Sequence, residues 1–148
     1  MREGRGFTLT EAAVALMLVT TLLGIALPRA SGSLERKHLD NVVNQFIADF
    51  YWAQSLAVAN STAYTLQVIP SAHQYRVRRG FASPVKVVRY DERLLFNSNF
   101  DDYGYHTVLF NAAGHVSSGG TFWVTSHRGE RVDLVVQLTT GRIEARWP

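Results

Sequence analysis

The strongest constraint on this chain is residues 12–27, AAVALMLVTTLLGIAL, a run without charge whose hydroxyl side chains are Thr20 and Thr21. Counted from Phe7 to Leu27, the apolar stretch is 21 residues long. At about 1.5 Å per helical residue it covers roughly 30 Å, the hydrocarbon thickness of a bilayer. One residue resists this reading. Glu11 puts a carboxylate at the head of the helix, where a charge is costly and by default marks function. A buried charge is tolerated mainly when it is paired, so the partner of Glu11 becomes the central question.

The remainder is long enough for one domain. The 148 residues contain 47% apolar and 18% charged residues, an ordinary balance for a folded chain. Fifteen basic and twelve acidic side chains leave a net charge of +3. Without residues 1–6, and so without Arg2, Glu3 and Arg5, it falls to +2. So mild a surplus does not require a nucleic-acid partner. There is no cysteine, which excludes a disulfide framework and a thiolate metal site.

Downstream of the apolar run, Pro28 is expected to break or bend the helix, and Ser33 to cap a restart. From Leu34 to Ala59 apolar residues recur at helical spacing: Leu39, Val42, Val43, Phe46, Ile47, Phe50, Ala53 and Ala57. This predicts an amphipathic helix laid on a sheet and ended by Asn60-Ser61. Strands are predicted at 64–69, 74–78, 85–90, 94–96, 107–110, 122–126, 132–138 and 142–147, separated by turn-forming residues. Val132, Leu134, Val136 and Leu138 alternate, so one face can cover the helix. The expected class is α+β, a long N-terminal helix packed on an antiparallel sheet. Its segments are 1–6, 7–28, 33–60 and 61–148.

The N-terminus admits a secretory signal, a plain membrane anchor, or a third reading carried by Arg5-Gly6-Phe7-Thr8-Leu9-Thr10-Glu11. This stretch resembles the processing site of type IV prepilins. The resemblance implies a leader, residues 1–6, cut between Gly6 and Phe7 by a prepilin peptidase, and N-methylation of Phe7. It implies that Glu11 pairs with the new amine of Phe7 on a neighbouring subunit, registering helices in a filament. It also implies a single-pass membrane protein with a cytoplasmic N-terminus, found at the cell surface after assembly. Arg2 and Arg5 favour that orientation, whereas Arg29, Arg36 and Lys37 at the other end oppose it.

In the C-terminal half, Phe110-Asn111-Ala112-Ala113-Gly114-His115, Gly119-Gly120, Val124 and residues 134–143 resemble the ComGD family of competence pseudopilins. The broad pattern is shared with GspH/FimT minor pilins of secretion and fimbrial systems. The implied function is a minor subunit helping to assemble a transformation pilus, with other pseudopilins, the major subunit among them, as partners. A secretion or fimbrial minor pilin, or a membrane-anchored extracytoplasmic binding domain, is the alternative.

Other candidate sites are weaker. Arg76, Arg78 and Arg79, with Lys86, Arg89 and Arg93, form the densest basic region. Arg76 and Arg78 share a strand face, and Tyr75 or Tyr90 offers a ring for stacking on DNA bases. The favoured reading is a solvated face that keeps an edge strand from aggregating. His38, His73, His106, His115 and His127 lack metal-ligand spacing. Asp91-Glu92 with Asp101-Asp102 lacks the pattern of a calcium loop. No catalytic or phosphate-cradling motif occurs, so neither an enzyme nor a cofactor is expected. Phe46, Phe50, Trp52, Phe122 and Trp123 are expected in the core.

Overall fold

The computed structural model describes residues 8–80, 82–100 and 106–147, and within the long helix the side chains on either side of 24–34. The leader, Gly6 and Phe7 therefore lie outside the described residues, as do Asp101 and Asp102. The chain divides into two compact units, Met1–Lys37 and His38–Pro148.

Helix α1 runs from Leu9 to Ala59 as one helical assignment of 51 residues. It passes through Pro28 and Ser33, so the restart expected at Ser33 is not seen. Proline removes one backbone donor, and helix propagation between strong formers on both sides carries the chain across the gap. In the first unit the described apolar side chains face outward: Leu9 is 90% exposed and Met17 73%. Thr20 donates back to the carbonyls of Leu16 and Met17, and Thr21 to those of Met17 and Leu18. Both hydroxyls are thus satisfied within the helix and need no water, which suits an apolar surrounding. Among the described residues no helix is long and apolar enough to cross a membrane. The apolar run of the sequence extends to Leu27, through residues 24–27, whose side chains are not among those described.

In the second unit α1 buries one stripe, Leu39, Val43, Phe46, Phe50, Ala53 and Ala57. The helix ends in a double turn: the Thr62 N–H donates to the Ala57 carbonyl and the Ser61 N–H to that of Val58. Ser61 takes a left-handed φ of 47° there, the arrangement that glycine usually supplies.

Eight strands follow: β1 Tyr64–Ile69, β2 Gln74–Arg79, β3 Pro84–Arg89, β4 Leu94–Ser98, β5 Thr107–Phe110, β6 Gly120–Ser126, β7 Arg131–Val136 and β8 Ile143–Arg146. They form two four-stranded antiparallel sheets, β3-β2-β1-β5 and β4-β6-β7-β8, where the sequence suggests one. Alternation along each strand sends Leu66, Val68, Tyr75, Val77, Phe96, Phe122, Val124 and Leu134 into a single core with the helix stripe. Phe46 joins the two sheets. Its ring lies 5.1 Å from Tyr75 in the first and 4.7 and 5.1 Å from Phe96 and Phe122 in the second.

Candidate assembly site and basic strip

Glu11 is engaged within its own helix. Its Oε2 accepts from the Thr8 backbone N–H at 3.0 Å and from the Thr8 hydroxyl at 2.9 Å. The Thr8 hydroxyl in turn accepts from the Glu11 N–H at 3.3 Å. Thr8-Leu9-Thr10-Glu11 is therefore a capping box, the reciprocal pattern that satisfies donors at a helix N-terminus. An acid at this place also complements the positive end of the helix dipole. The sequence carries the T-x-x-E signature of this arrangement. Phe7, the expected partner, lies outside the described residues.

The basic region does not form a free strip. Arg76 donates through Nε and Nη2 to Oε1 of Gln67, its cross-strand neighbour, at 3.0 and 2.7 Å. Partial burial, and the neighbouring Arg78, lower its pKa. Arg78 and Arg76 do share a face, as expected, but the Arg78 Nε donates to the Ala82 carbonyl at 2.7 Å. Arg79 is exposed. Arg93 pairs with Asp91 at 2.9 Å. The stacking partners are not on this surface: Tyr75 is 1% exposed and Tyr90 8%, both turned into the core. Strand alternation explains it, since Tyr75 shares the inward face with Val77 and not the outward face with Arg76.

Lys86 points inward, to Asp49, an acid that the helical spacing alone does not mark as a site. Asp49 lies on the buried face of α1, 3% exposed. Its Oδ1 receives the Lys86 ammonium at 2.5 Å, and its Oδ2 receives the Tyr75 hydroxyl at 2.8 Å and the Gln45 amide at 3.2 Å. Burial, reinforced by the hydrogen bond to Asp49, pushes the Tyr75 hydroxyl pKa upward, so Tyr75 acts as a donor. Lys86 also lies 5.4 Å from the centre of the Trp52 ring. Trp52, 39% exposed, and Trp123, under Arg131 at 5.1 Å, are thus half-exposed cation platforms rather than the core residues expected.

The Phe110–His115 pattern is a docking turn. The Asn111 side-chain oxygen accepts from the N–H groups of Ala113 and His115, both at 2.9 Å. Gly114, at φ +80°, presses on the helix: a Cβ there would lie 2.8 Å from Val58 Cγ2. The Gly114 carbonyl accepts from the Gln54 amide at 2.7 Å. Glycine is required by both conformation and contact. Gly120 is similar in kind, since a Cβ would meet the Phe100 ring at 2.8 Å.

Among the histidines, His106 Nδ1 lies 2.9 Å from the Ser98 hydroxyl and His38 Nε2 lies 3.7 Å from Asp91. Among the described residues no group of three or more His, Asp and Glu could hold a metal ion. Asp91 is instead held by Arg93. The side-chain and backbone hydrogen bonds from Arg93, with smaller help from the charges of Arg93 and His38, bring its pKa to about 2 from 3.8. A carboxylate depressed in the folded state adds stability above its unfolded pKa and loses it as pH falls. Arg93→Ala should therefore move the Asp91 titration, read by carboxyl NMR, back towards 3.8. Its destabilisation relative to the parent should shrink as pH drops from about 4 to about 2.

One long helix whose second half packs on antiparallel sheets defines a pilin-like α+β fold. The minor pseudopilin EpsH from the type 2 secretion system of Vibrio cholerae matches with a TM-score of 0.62 at 10% identity, over 74% of this chain and 96% of that one. The type IV minor pilin FimU of Pseudomonas aeruginosa gives 0.60 at 17% identity over 76% and 90%, and in a second crystal form 0.58 at 16% over 72% and 91%. Comparison with protein-family models and with curated proteins gives no match.

Proposed function

We propose that this chain is a minor pilin-like subunit of a membrane-assembled filament. The observation that carries the reading is the fold, which covers nearly the whole of two minor subunits, one from a secretion system and one from a type IV pilus. The chain is stored in the membrane by residues 7–28 with its N-terminus in the cytoplasm, cleaved between Gly6 and Phe7 by a prepilin peptidase, and then moved into the filament at the cell surface. Its partners are other pilin-like subunits, the major one included, and its role is to initiate or cap rather than to build the shaft. The role is structural and needs no cofactor.

Two systems fit this subunit. The pattern between Phe110 and Ile143, built around the Asn111–Gly114 turn, supports a competence pilus that takes up DNA. The likeness to EpsH and FimU supports a secretion or fimbrial system instead. Direct DNA contact through Arg76, Arg78 and Arg79 has less support, because Arg76 and Arg78 are engaged and the nearby tyrosines are buried. N-terminal sequencing of the cell-made protein tests the common reading. A mature chain beginning at Phe7 supports it, and an intact Met1 or a start near Ser33 overturns it. A deletion strain then separates the systems by whether transformation or secretion is lost.

Glu11 has two roles to separate, cap and intersubunit partner. Glutamine can replace glutamate in a capping box but carries no charge. Glu11→Gln should leave cleavage and the second unit's fold intact while reducing incorporation into filaments about tenfold or more, given the worth of a buried charge pair. Thr8→Ala, which removes only capping, should cost about 1 kcal/mol of helix stability and leave assembly largely in place. Normal incorporation of Glu11→Gln, measured in sheared filament fractions, would show that the carboxylate is a cap alone.

A further inference from the structure

The strand registers divide the connections of the second unit between two ends. Tyr64 stands opposite both Arg79 and Phe110, and Val136 opposite both Gly120 and Ile143. The end of α1, the β2–β3 turn, the β5–β6 connection and the β7–β8 turn therefore share one end. The Gln54 amide joins three of them: it donates to the Gly114 carbonyl at 2.7 Å, and a Cβ on Gly141 would lie 3.1 Å from its nitrogen. The Gly80 N–H donates to the Ala63 carbonyl at 2.8 Å and ties in the fourth. At the other end α1 enters beside a groove of about 250 Å³, walled by His38 and Val42 on the helix and by Val88 and Tyr90 on β3. The pairing of Leu94 with Ser126 brings the β6–β7 turn to this entry end, next to residues 90–93.

Charge is segregated between these two ends. Residues 58–63, 80–85, 111–120 and 137–141 contain no Asp, Glu, Lys or Arg, in a chain with 15 basic and 12 acidic residues. Arg79 and Arg142 border the stretch without entering it. The entry-end connections, 90–93 and 127–130, carry Asp91, Glu92, Arg93, Arg128 and Glu130. Asp101 and Asp102 lie outside the described residues. The uncharged end is also apolar at its surface: Val58 is 52% exposed and Leu138 55%, and Ala112 and Ala113 are exposed as well. The β5–β6 connection reaches both large side chains, since a Cβ on Gly114 would meet Val58 at 2.8 Å and one on Gly119 would meet Leu138 at 3.3 Å. The surface is thus continuous and held by fixed turns, which lowers the ordering cost of binding. Depletion of charge is what marks the core of a protein–protein interface.

We propose that this uncharged end is the contact surface for a different pilin-like subunit, whose facing end is likewise uncharged, and that it rejects a second copy of this chain. The proposal rests on the reading of the chain as a filament subunit. Two copies stacked in line would set the entry end, with its acids and arginines, on the surface of Val58, Ala112 and Leu138. Those ionised groups would lose water with no counter-charge opposite them, which is costly. DNA is a poor occupant of the same surface, because its phosphates require cations that Val58, Ala112 and Leu138 do not offer. A chain whose two ends do not match enters a filament singly, at a junction between unlike subunits. That gives a minor role a physical cause.

The test uses the full chain in the cells that assemble it, with the photo-reactive p-benzoylphenylalanine in place of Leu138. Sheared filaments are irradiated and the products identified by peptide mass spectrometry. The expected product joins this chain to another that has its own prepilin-like processing site. The same photo-reactive residue in place of Glu130, at the charged end, should not give that product. Leu138→Glu should lower incorporation about tenfold or more, since it puts an unpaired charge into the contact, while circular dichroism is unchanged. Leu138→Met should incorporate normally. A crosslinked dimer of this chain, a crosslink to DNA, no product from chain recovered in filaments, or normal incorporation of Leu138→Glu would each overturn the proposal. Absence of the unmodified chain from filaments, with Met1 intact, would overturn the filament reading itself and the proposal with it.

Discussion

Phe46→Ala is expected to cost about 3–5 kcal/mol, the usual range for removing a buried phenylalanine. The position should lie at the upper end of that range. Phe46 is fully buried and touches Tyr75 of one sheet and both Phe96 and Phe122 of the other, so its removal opens a cavity at the point where helix and both sheets meet. Three aromatic contacts disappear together, each worth about 0.5–1.5 kcal/mol beyond burial. The surrounding rings are held by strand register and cannot collapse into the space. Urea unfolding of the full chain in micelles, followed by the fluorescence of Trp52 and Trp123, is the measurement. Phe50→Ala should cost less, since the Phe50 ring packs on Phe110 and Tyr51 and, among the described residues, meets no ring of the second sheet. A Phe46→Ala loss below about 2 kcal/mol would mean that the two sheets are not joined through this ring.

The contrast between these two phenylalanines marks what the sequence can and cannot disclose. Period-3.6 spacing locates the helix stripe that contains both, and period-2 alternation locates all eight strands to within a few residues. Neither periodicity says which strands pair. An inward valine on β6 reads the same whether one sheet or two cover the helix, so the division into two sheets and the bridging role of Phe46 appear only in three dimensions. The sequence offers Tyr75 as a stacking ring, yet the alternation that exposes Arg76 must bury its neighbour, and Tyr75 is 1% exposed. Glu11 is legible as an anomaly in an apolar run, whereas its role as a cap depends on where the helix starts, which sequence periodicity leaves uncertain by a few residues. Asp49 carried the same signal. It sits three residues after Phe46 and one before Phe50, on the apolar stripe, where an acid is as misplaced as Glu11 is at the head of its run. Its partners were hidden because Lys86 and Tyr75 are far away in sequence.

That buried acid sets up the second large effect. Lys86→Met should cost about 2–3 kcal/mol, because among the described residues it leaves a carboxylate that is 4% exposed with two neutral donors, Tyr75 and Gln45. The loss should fall short of that for a fully buried pair. Lys86 is itself 36% exposed, so the pair is partly screened and the lysine gives up less hydration on folding. Asp49→Asn should be milder: the lysine can turn to solvent, and the amide oxygen still accepts from Tyr75. The discriminating measurement is the double-mutant cycle. If the partnership is what matters, Asp49→Asn combined with Lys86→Met should be less destabilised than the sum of the single variants by about 1 kcal/mol or more. Strict additivity in urea unfolding would mean that the two charges do not interact, and that Lys86 acts only as a hydrocarbon chain laid on Trp52. A non-additive result would identify the function of the pair. A polar contact between α1 and the edge strand β3 can fix the register of that strand against the helix, where hydrophobic contact alone would permit sliding. The groove beside β3 depends on that register, because Val88 and Tyr90 face the helix only when Lys86 does.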